Sequence, residues 1–218
     1  MEKFLTNLNN KEQEKTIDAL TLSQESYFND LGLDLDFLRD KKILDVGAGQ
    51  AHFAKAMKKY GVEVTSTDVV MGGWGHEGEL EIPEDLDYVV SDGTKMPFAD
   101  SSFDLIVSRS SMPFVLGSKQ EVISFMKEIN RILKDGGEFR FGPGMGGFNN
   151  KIYNKGELFT EEEEKSLSRD ERVERKNMKA EEFIRGIEAE DGRDMGDGLS
   201  VLNISKGDRE DLSFVYKK

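Results

Sequence analysis

Apolar residues in this chain fall into short unbroken runs, separated by longer stretches in which they recur every three or four positions. That alternation predicts buried strands joined by covering helices. Ile43-Leu44-Asp45-Val46 is the first clear run, and Ala51, Ala54 and Met57 then keep helical spacing through Tyr60, with Gly61 placed as the residue just past a helix end. Val62 to Thr67 is rich in β-branched residues and predicts a second strand, followed by Tyr88 to Ser91, by an apolar strand through Val107, and by Glu138 to Phe141. Between the last two, Ser118 and Glu121 form a capping-box pattern, and Val122, Phe125, Met126, Ile129 and Leu133 predict a helix that Gly136-Gly137 ends. Leu199 to Ser205 and Leu212 to Tyr216, either side of Lys206-Gly207-Asp208, predict a β-hairpin.

The flanks are helical in pattern. Asn10 to Phe28 carries Ile17, Leu20, Tyr27 and Phe28 among charges, which predicts one or two helices packing over the entrance to the sheet in preference to a substrate lid. Leu33 to Phe37 leads into the first strand. After Asn149 the chain turns strongly charged. Thr160 with Glu163 starts a helix whose Glu161 to Glu164 turn is favoured by the helix dipole and solvated rather than a metal site, and Met178 to Ile187 is again amphipathic.

Candidate chemistry gathers where the strands end. Gly47 and Gly49 follow the first strand immediately, and glycine there permits a tight turn and lets a ligand lie against the main chain, with the next helix offering unpaired N–H groups to an anionic end. A dinucleotide fingerprint needs a third glycine where His52 stands. Asp68 closes the second strand about twenty residues beyond Gly47, a spacing that suits an acceptor for ribose hydroxyls. Val69 to Asp85, with Trp74 and His76, has no periodicity; it is either a loop over the ligand or an unstructured insertion.

Composition narrows the classes. With 218 residues, one domain is expected: an N-terminal helical cap over 1–40, a ligand-binding core over 41–142, and helices plus a hairpin over 143–218. There are no cysteines and two histidines, so disulfides, thiolate metal sites and histidine-rich zinc sites are excluded, and no metal site is expected. No signal peptide or membrane span is apparent, and a cytoplasmic protein is the expectation. A formal net charge of −13 repels a phosphate backbone, which makes nucleic acid a disfavoured partner and a small-molecule substrate the favoured one.

The order Asp45, Gly47, Gly49 resembles the first motif of the class I S-adenosylmethionine-dependent methyltransferases, with Ala51 where the family usually has a third glycine. The run Asp92-Gly93, Met96-Pro97-Phe98, Ser102-Phe103-Asp104 is similar, position by position, to the family's pattern across its third and fourth strands, and the resemblance by motif covers about residues 40 to 142. It implies an α/β fold, a Rossmann-like three-layer sandwich with a seven-stranded, mostly parallel sheet and an antiparallel last strand. It implies S-adenosylmethionine as cofactor, its methionine end wrapped by the loop at Asp45, Gly47 and Gly49, its ribose at Asp68 and Val69, and its adenine amine at Asp92 with the N–H groups from Gly93 onward meeting the ring.

In the same resemblance the backbone carbonyl of Arg109 receives the methionine amine; its side chain, read by its own chemistry, either binds an acidic substrate group or pairs with a surface carboxylate. Ser108 to Val115 are expected to face the reaction, with Phe114 where many relatives carry a histidine, and Gly142 to Gly147 to form a pliable pocket wall. A hydroxyl acceptor would need a base, for which His76, Tyr27 and Tyr153 are candidates. Three alternatives stay open: a nicotinamide oxidoreductase, an aminopropyltransferase on the same fold, and a catalytically inactive S-adenosylmethionine-binding protein acting as a partner or sensor.

Overall fold

A computed structural model of the chain describes residues 21, 24–69, 84–142, 161–187, 198–206 and 209–218. In chain order the elements are helix α1 (24–31), α2 (Leu35–Leu38), β1 (Ile43–Val46), α3 (His52–Lys58), β2 (Val64–Asp68), β3 (Tyr88–Val90), β4 (Phe103–Arg109), α4 (Lys119–Ile132), β5 (Leu133–Gly142), α5 (Glu161–Ser166), α6 (Arg169–Arg185), β6 (Leu199–Lys206) and β7 (Arg209–Lys217). The seven strands form one sheet in the order β3-β2-β1-β4-β5-β7-β6. β1 to β5 run parallel, and β7 is antiparallel to both β5 and β6. The chain steps outward from β1 to β3 and then returns to β4 beside β1. That reversal opens a crevice at the carboxyl ends of β1 and β4, the place where open α/β sheets bind ligands.

Two apolar layers sandwich the sheet, and strand alternation sorts side chains between them. Leu44, Val46 and Ile106 face a core built on Val122, Phe125, Met126 and Ile129 of α4 together with Phe139, Phe141 and Phe214. Ile43, Leu105 and Val107 face the other layer, with Tyr27 and Leu31 of α1 and Phe53, Ala54 and Met57 of α3. By the same alternation Asp45 and Arg109 point into the α1 and α3 layer, which brings an acid and a base under the N-terminal helix.

Local chemistry sets the element ends. Gly61, at φ 73°, follows α3, where its N–H reaches Lys58 O at 3.1 Å and the Val62 N–H reaches Met57 O at 3.3 Å, the paired bonds of a Schellman end. Ser118 caps α4 through the Glu121 N–H. Ser168 and Glu171 cap α6 with a reciprocal capping box. The Met-Pro-Phe segment is clamped from α4: Glu128 accepts from the Met96 N–H at 2.7 Å, and Arg131 donates to Met96 O, Phe98 O and Asp100. Asp104, at the amino end of β4, accepts from the Lys42 N–H at 2.9 Å and pairs with Lys134.

One element end differs from the sequence expectation. α4 stops at Ile132, and Leu133 is already extended at φ −77°, ψ 135°, so Gly136 and Gly137 lie inside β5 instead of ending the helix. The pairing partner decides this: register moves from Phe103↔Leu133 to Leu105↔Glu138, and the glycines occupy the bulge between, hydrogen-bonded to Lys218. The expectations for Asn10 to Leu20, for the Trp74 and His76 loop, for the pocket wall from Pro143 to Gly147 and for Thr160 fall outside the described residues.

Candidate functional site

The turn after β1 is fixed by β2 and β3. The N–H groups of Gly47 and Ala48 both donate to Thr67 O, at 2.8 and 3.1 Å, and Gly47 and Gly49 take φ of 74° and 53°, the left-handed region that favours glycine. Asp68 accepts from the Gly49 N–H through Oδ2 at 3.0 Å, and the Tyr88 hydroxyl donates to Gly49 O at 2.9 Å. The acid expected to meet a ribose thus also holds the loop. The two glycines differ in what they face. A Cβ on Gly47 would run into the Ser111 hydroxyl and lie 2.7 Å from Ser111 Cβ, whereas a Cβ on Gly49 would meet no described residue within 4 Å. The close approach at Gly47 is therefore to the chain's own loop after β4, and the open side of the turn is at Gly49. Ala51, buried at the N-cap of α3, holds φ 54° without glycine.

Beneath this turn lies a polar cluster. Asp45 is fully buried, and the Tyr27 hydroxyl donates to both carboxylate oxygens at 3.0 Å. Burial pushes the Asp45 carboxyl up to about 7; the Tyr27 hydrogen bond and Arg109 oppose that rise and Asp68 adds to it. Tyr27 stacks on Phe53 with ring centroids 4.2 Å apart. Burial, and then Asp45, raise its phenol well above the ordinary value, which makes it a donor and removes it from service as a base near neutral pH. Arg109 donates through Nε to Asp30 at 2.7 Å, and its guanidinium stands 5.9 Å from the Tyr27 ring. Of the two readings of the Arg109 side chain, an acidic substrate group or a surface carboxylate, the structure shows a carboxylate partner, but Asp30 is buried, its side chain 4% exposed.

At the third strand Asp92 closes an Asx turn, Oδ1 accepting from the Thr94 N–H and hydroxyl at 2.8 Å. Gly93 backs onto the core: a Cβ there would lie 2.6 Å from Met112 Cε. Val69 is half exposed just past Asp68. Of the residues expected to face the reaction after β4, Ser108 and Phe114 do not. Ser108 is buried and donates to Val46 O at 2.8 Å, and Phe114 packs against Phe141 and Phe214 with centroids 5.9 and 6.1 Å away. The reason is that β4 is central and its end is roofed by aromatic rings from β5 and β7. His76 and Tyr153 lie outside the described residues.

Gly47, Gly49, Asp68, Asp45 and Arg109 thus meet at one crevice, with Asp92 and Gly93 at the end of the neighbouring β3. The sequence pattern did not single out Asp30 or the loop-holding role of Tyr88, and it placed Ser111 only within the 108–115 segment, not against Gly47. Asp30 left one trace, its three-residue spacing from Tyr27, which puts both on one helix face. Among the described residues, no group of three or more acidic, histidine or cysteine side chains could hold a metal ion, and no helix is long and apolar enough to cross a membrane.

Residues 44–141 match a family described as a methyltransferase domain. The demethylmenaquinone methyltransferase of Paenarthrobacter aurescens is 31% identical over 121 residues, which is 55% of this chain and 46% of that protein. The chain spans about half the length of the curated relatives it matches. A putative S-adenosyl-L-methionine-dependent methyltransferase from Methanococcus maripaludis superposes with a TM-score of 0.50 at 22% identity, over 99% of this chain and 92% of that one. The PH0226 protein of Pyrococcus horikoshii does so with a TM-score of 0.51 at 19% identity, over 96% and 92%. Both of these likenesses are likenesses of fold.

Proposed function

We propose that this chain, whose residues 44–141 match the methyltransferase domain family, is a member of it that binds S-adenosylmethionine in the crevice outside β1, β2 and β4 and transfers its methyl group to a small-molecule acceptor. The observation that carries this is the turn at Gly47 and Gly49: left-handed at both glycines, pinned by Thr67, Asp68 and Tyr88, and open at Gly49 to an incoming group. A cradle held this firmly on one side and clear of described residues at Gly49 on the other fits a ligand laid along the main chain.

The residues present suit the cofactor. Asp68 accepts from ribose hydroxyls while still holding the loop through Gly49. The Oδ2 oxygen of Asp92, with no hydrogen bond to any described residue, accepts from the adenine amine, the other oxygen being committed to Thr94. Asp45 supplies a carboxyl that ionises near neutral pH, close to where a cationic ligand would lie. S-adenosylmethionine, when bound, supplies a methyl group activated on a sulfonium. What the chain contributes is alignment of an acceptor with that carbon and exclusion of water. Ser108 and Phe114 offer no base, so an acceptor that attacks without losing a proton in the same step suits the described residues best.

Calorimetric titration with S-adenosylmethionine, followed by transfer of labelled methyl to a metabolite panel, tests this. Demethylmenaquinone, the acceptor in the relatives' names, goes first in the panel. Saturable binding with turnover of one acceptor is expected. Absence of binding overturns the proposal, and binding without turnover of any acceptor leaves a cofactor-binding protein rather than an enzyme.

A further inference from the structure

Arg109 ends β4 at the mouth of the crevice, and its Nε–H donates to the buried carboxylate of Asp30 on α1. A buried charge needs such a partner. One N–H meets that need, however, and a guanidinium has five. The terminal nitrogens Nη1 and Nη2 make no hydrogen bond to any described residue, and the side chain is 29% exposed. Its place is fixed from below by the Tyr27 ring, whose hydroxyl in turn holds Asp45, so the fork stands on a rigid base next to the Gly47 turn. A lysine would satisfy Asp30 as well as an arginine does. What arginine adds is a second, planar face with two parallel N–H groups, the geometry that matches a carboxylate.

We infer that Arg109 is a carboxylate receptor, held through Nε by Asp30 and presenting Nη1 and Nη2 to an acidic group of the bound ligands. The inference rests on the cofactor assignment above. The carboxylate comes either from the methionine end of S-adenosylmethionine or from an acidic methyl acceptor, and the recognition chemistry is the same for both.

The test compares S-adenosylmethionine with its decarboxylated analogue in calorimetric titrations of the wild type, Arg109→Lys and the paired variant Asp30→Asn/Arg109→Gln. The paired variant removes both charges, so no buried carboxylate is stranded. Circular dichroism and melting temperature check that each variant folds. If the cofactor supplies the carboxylate, the wild type prefers S-adenosylmethionine to the analogue on the order of tenfold or more, and both variants lose that preference. If the acceptor supplies it, the cofactor preference is unchanged by substitution. Small mono- and dicarboxylates then raise the melting temperature of the wild type loaded with S-adenosylhomocysteine and leave the variants unmoved.

A purely structural anchor predicts lower melting temperatures with neither the preference nor the carboxylate shift altered, and that result overturns the inference while cofactor binding stands. A wild type that binds no S-adenosylmethionine overturns the cofactor assignment and this inference with it.

Discussion

Asp45 is the residue whose surroundings have the most to say about pH. Its carboxyl is raised from 3.8 to about 7 by burial, so between those values the folded chain keeps a proton that the unfolded chain has released. Stability from this group is fully present below the unfolded value and is lost as pH rises through about 7. Asp45→Asn, which still accepts from Tyr27, should therefore match the wild type near pH 4 and exceed it near pH 8 in urea unfolding; a wild type equally stable relative to the variant at both pH values refutes the assignment. Binding of a cation beside Asp45 should also release a proton near neutral pH, visible as a buffer-dependent heat of S-adenosylmethionine binding. Ala51 carries a different strain. Its left-handed backbone costs about 1–2 kcal/mol, but its buried methyl contributes about 0.8 kcal/mol, and alanine loses less backbone freedom on folding than glycine. These terms nearly cancel, which accounts for alanine in a glycine position. Ala51→Gly should accordingly change unfolding free energy by less than about 1 kcal/mol in either direction.

At the scale of elements, the loop between β3 and β4 is shaped from outside itself. Arg131 on α4 donates to Met96 O, Phe98 O, Asp100 and Glu128, so one side chain fixes a segment with almost no regular structure. Arg131→Ala should cost about 1.5–3 kcal/mol and loosen the Asp92 turn, read as a lower urea midpoint together with weaker S-adenosylmethionine binding; a midpoint shift with unchanged affinity would separate the clamp from the site. The same loop shows what the sequence could reveal. Periodicity and short apolar runs were enough to place β1 to β4, α3, α4 and the β6–β7 hairpin, the pattern being clearest where a face is buried, as in β1, β4, α3 and α4. The acids and glycines at strand ends were legible because spacing alone carries them there. Arg131 and Tyr88 were not, since each acts across a long sequence separation and nothing local marks that role, and Asp30 was legible only through its spacing from Tyr27. The start of β5 was misplaced for a related reason: Gly136-Gly137 has the local signature of a helix end, but pairing with Phe103 draws the chain into the sheet first.

Across the whole molecule the crevice gathers ties from both sequence directions. α1 reaches it through Tyr27 and Asp30, β2 and β3 through Asp68 and Tyr88, and β4 and the loop after it through Arg109 and Ser111, while the β6–β7 hairpin lies at the far edge of the sheet. A ligand seated on the Gly49 turn should stabilise these converging segments together and leave the hairpin edge nearly unaffected, because binding to the folded state raises the free energy of every opening that would release the ligand. Hydrogen exchange with and without S-adenosylmethionine distinguishes this from a general tightening. Slower exchange is expected in α1, in the turn from Gly47 to Ala51 and at the end of β4, with no change along β6. Protection spread evenly over the sheet, or confined to β6 and β7, would place the ligand somewhere other than the crevice between β1 and β4.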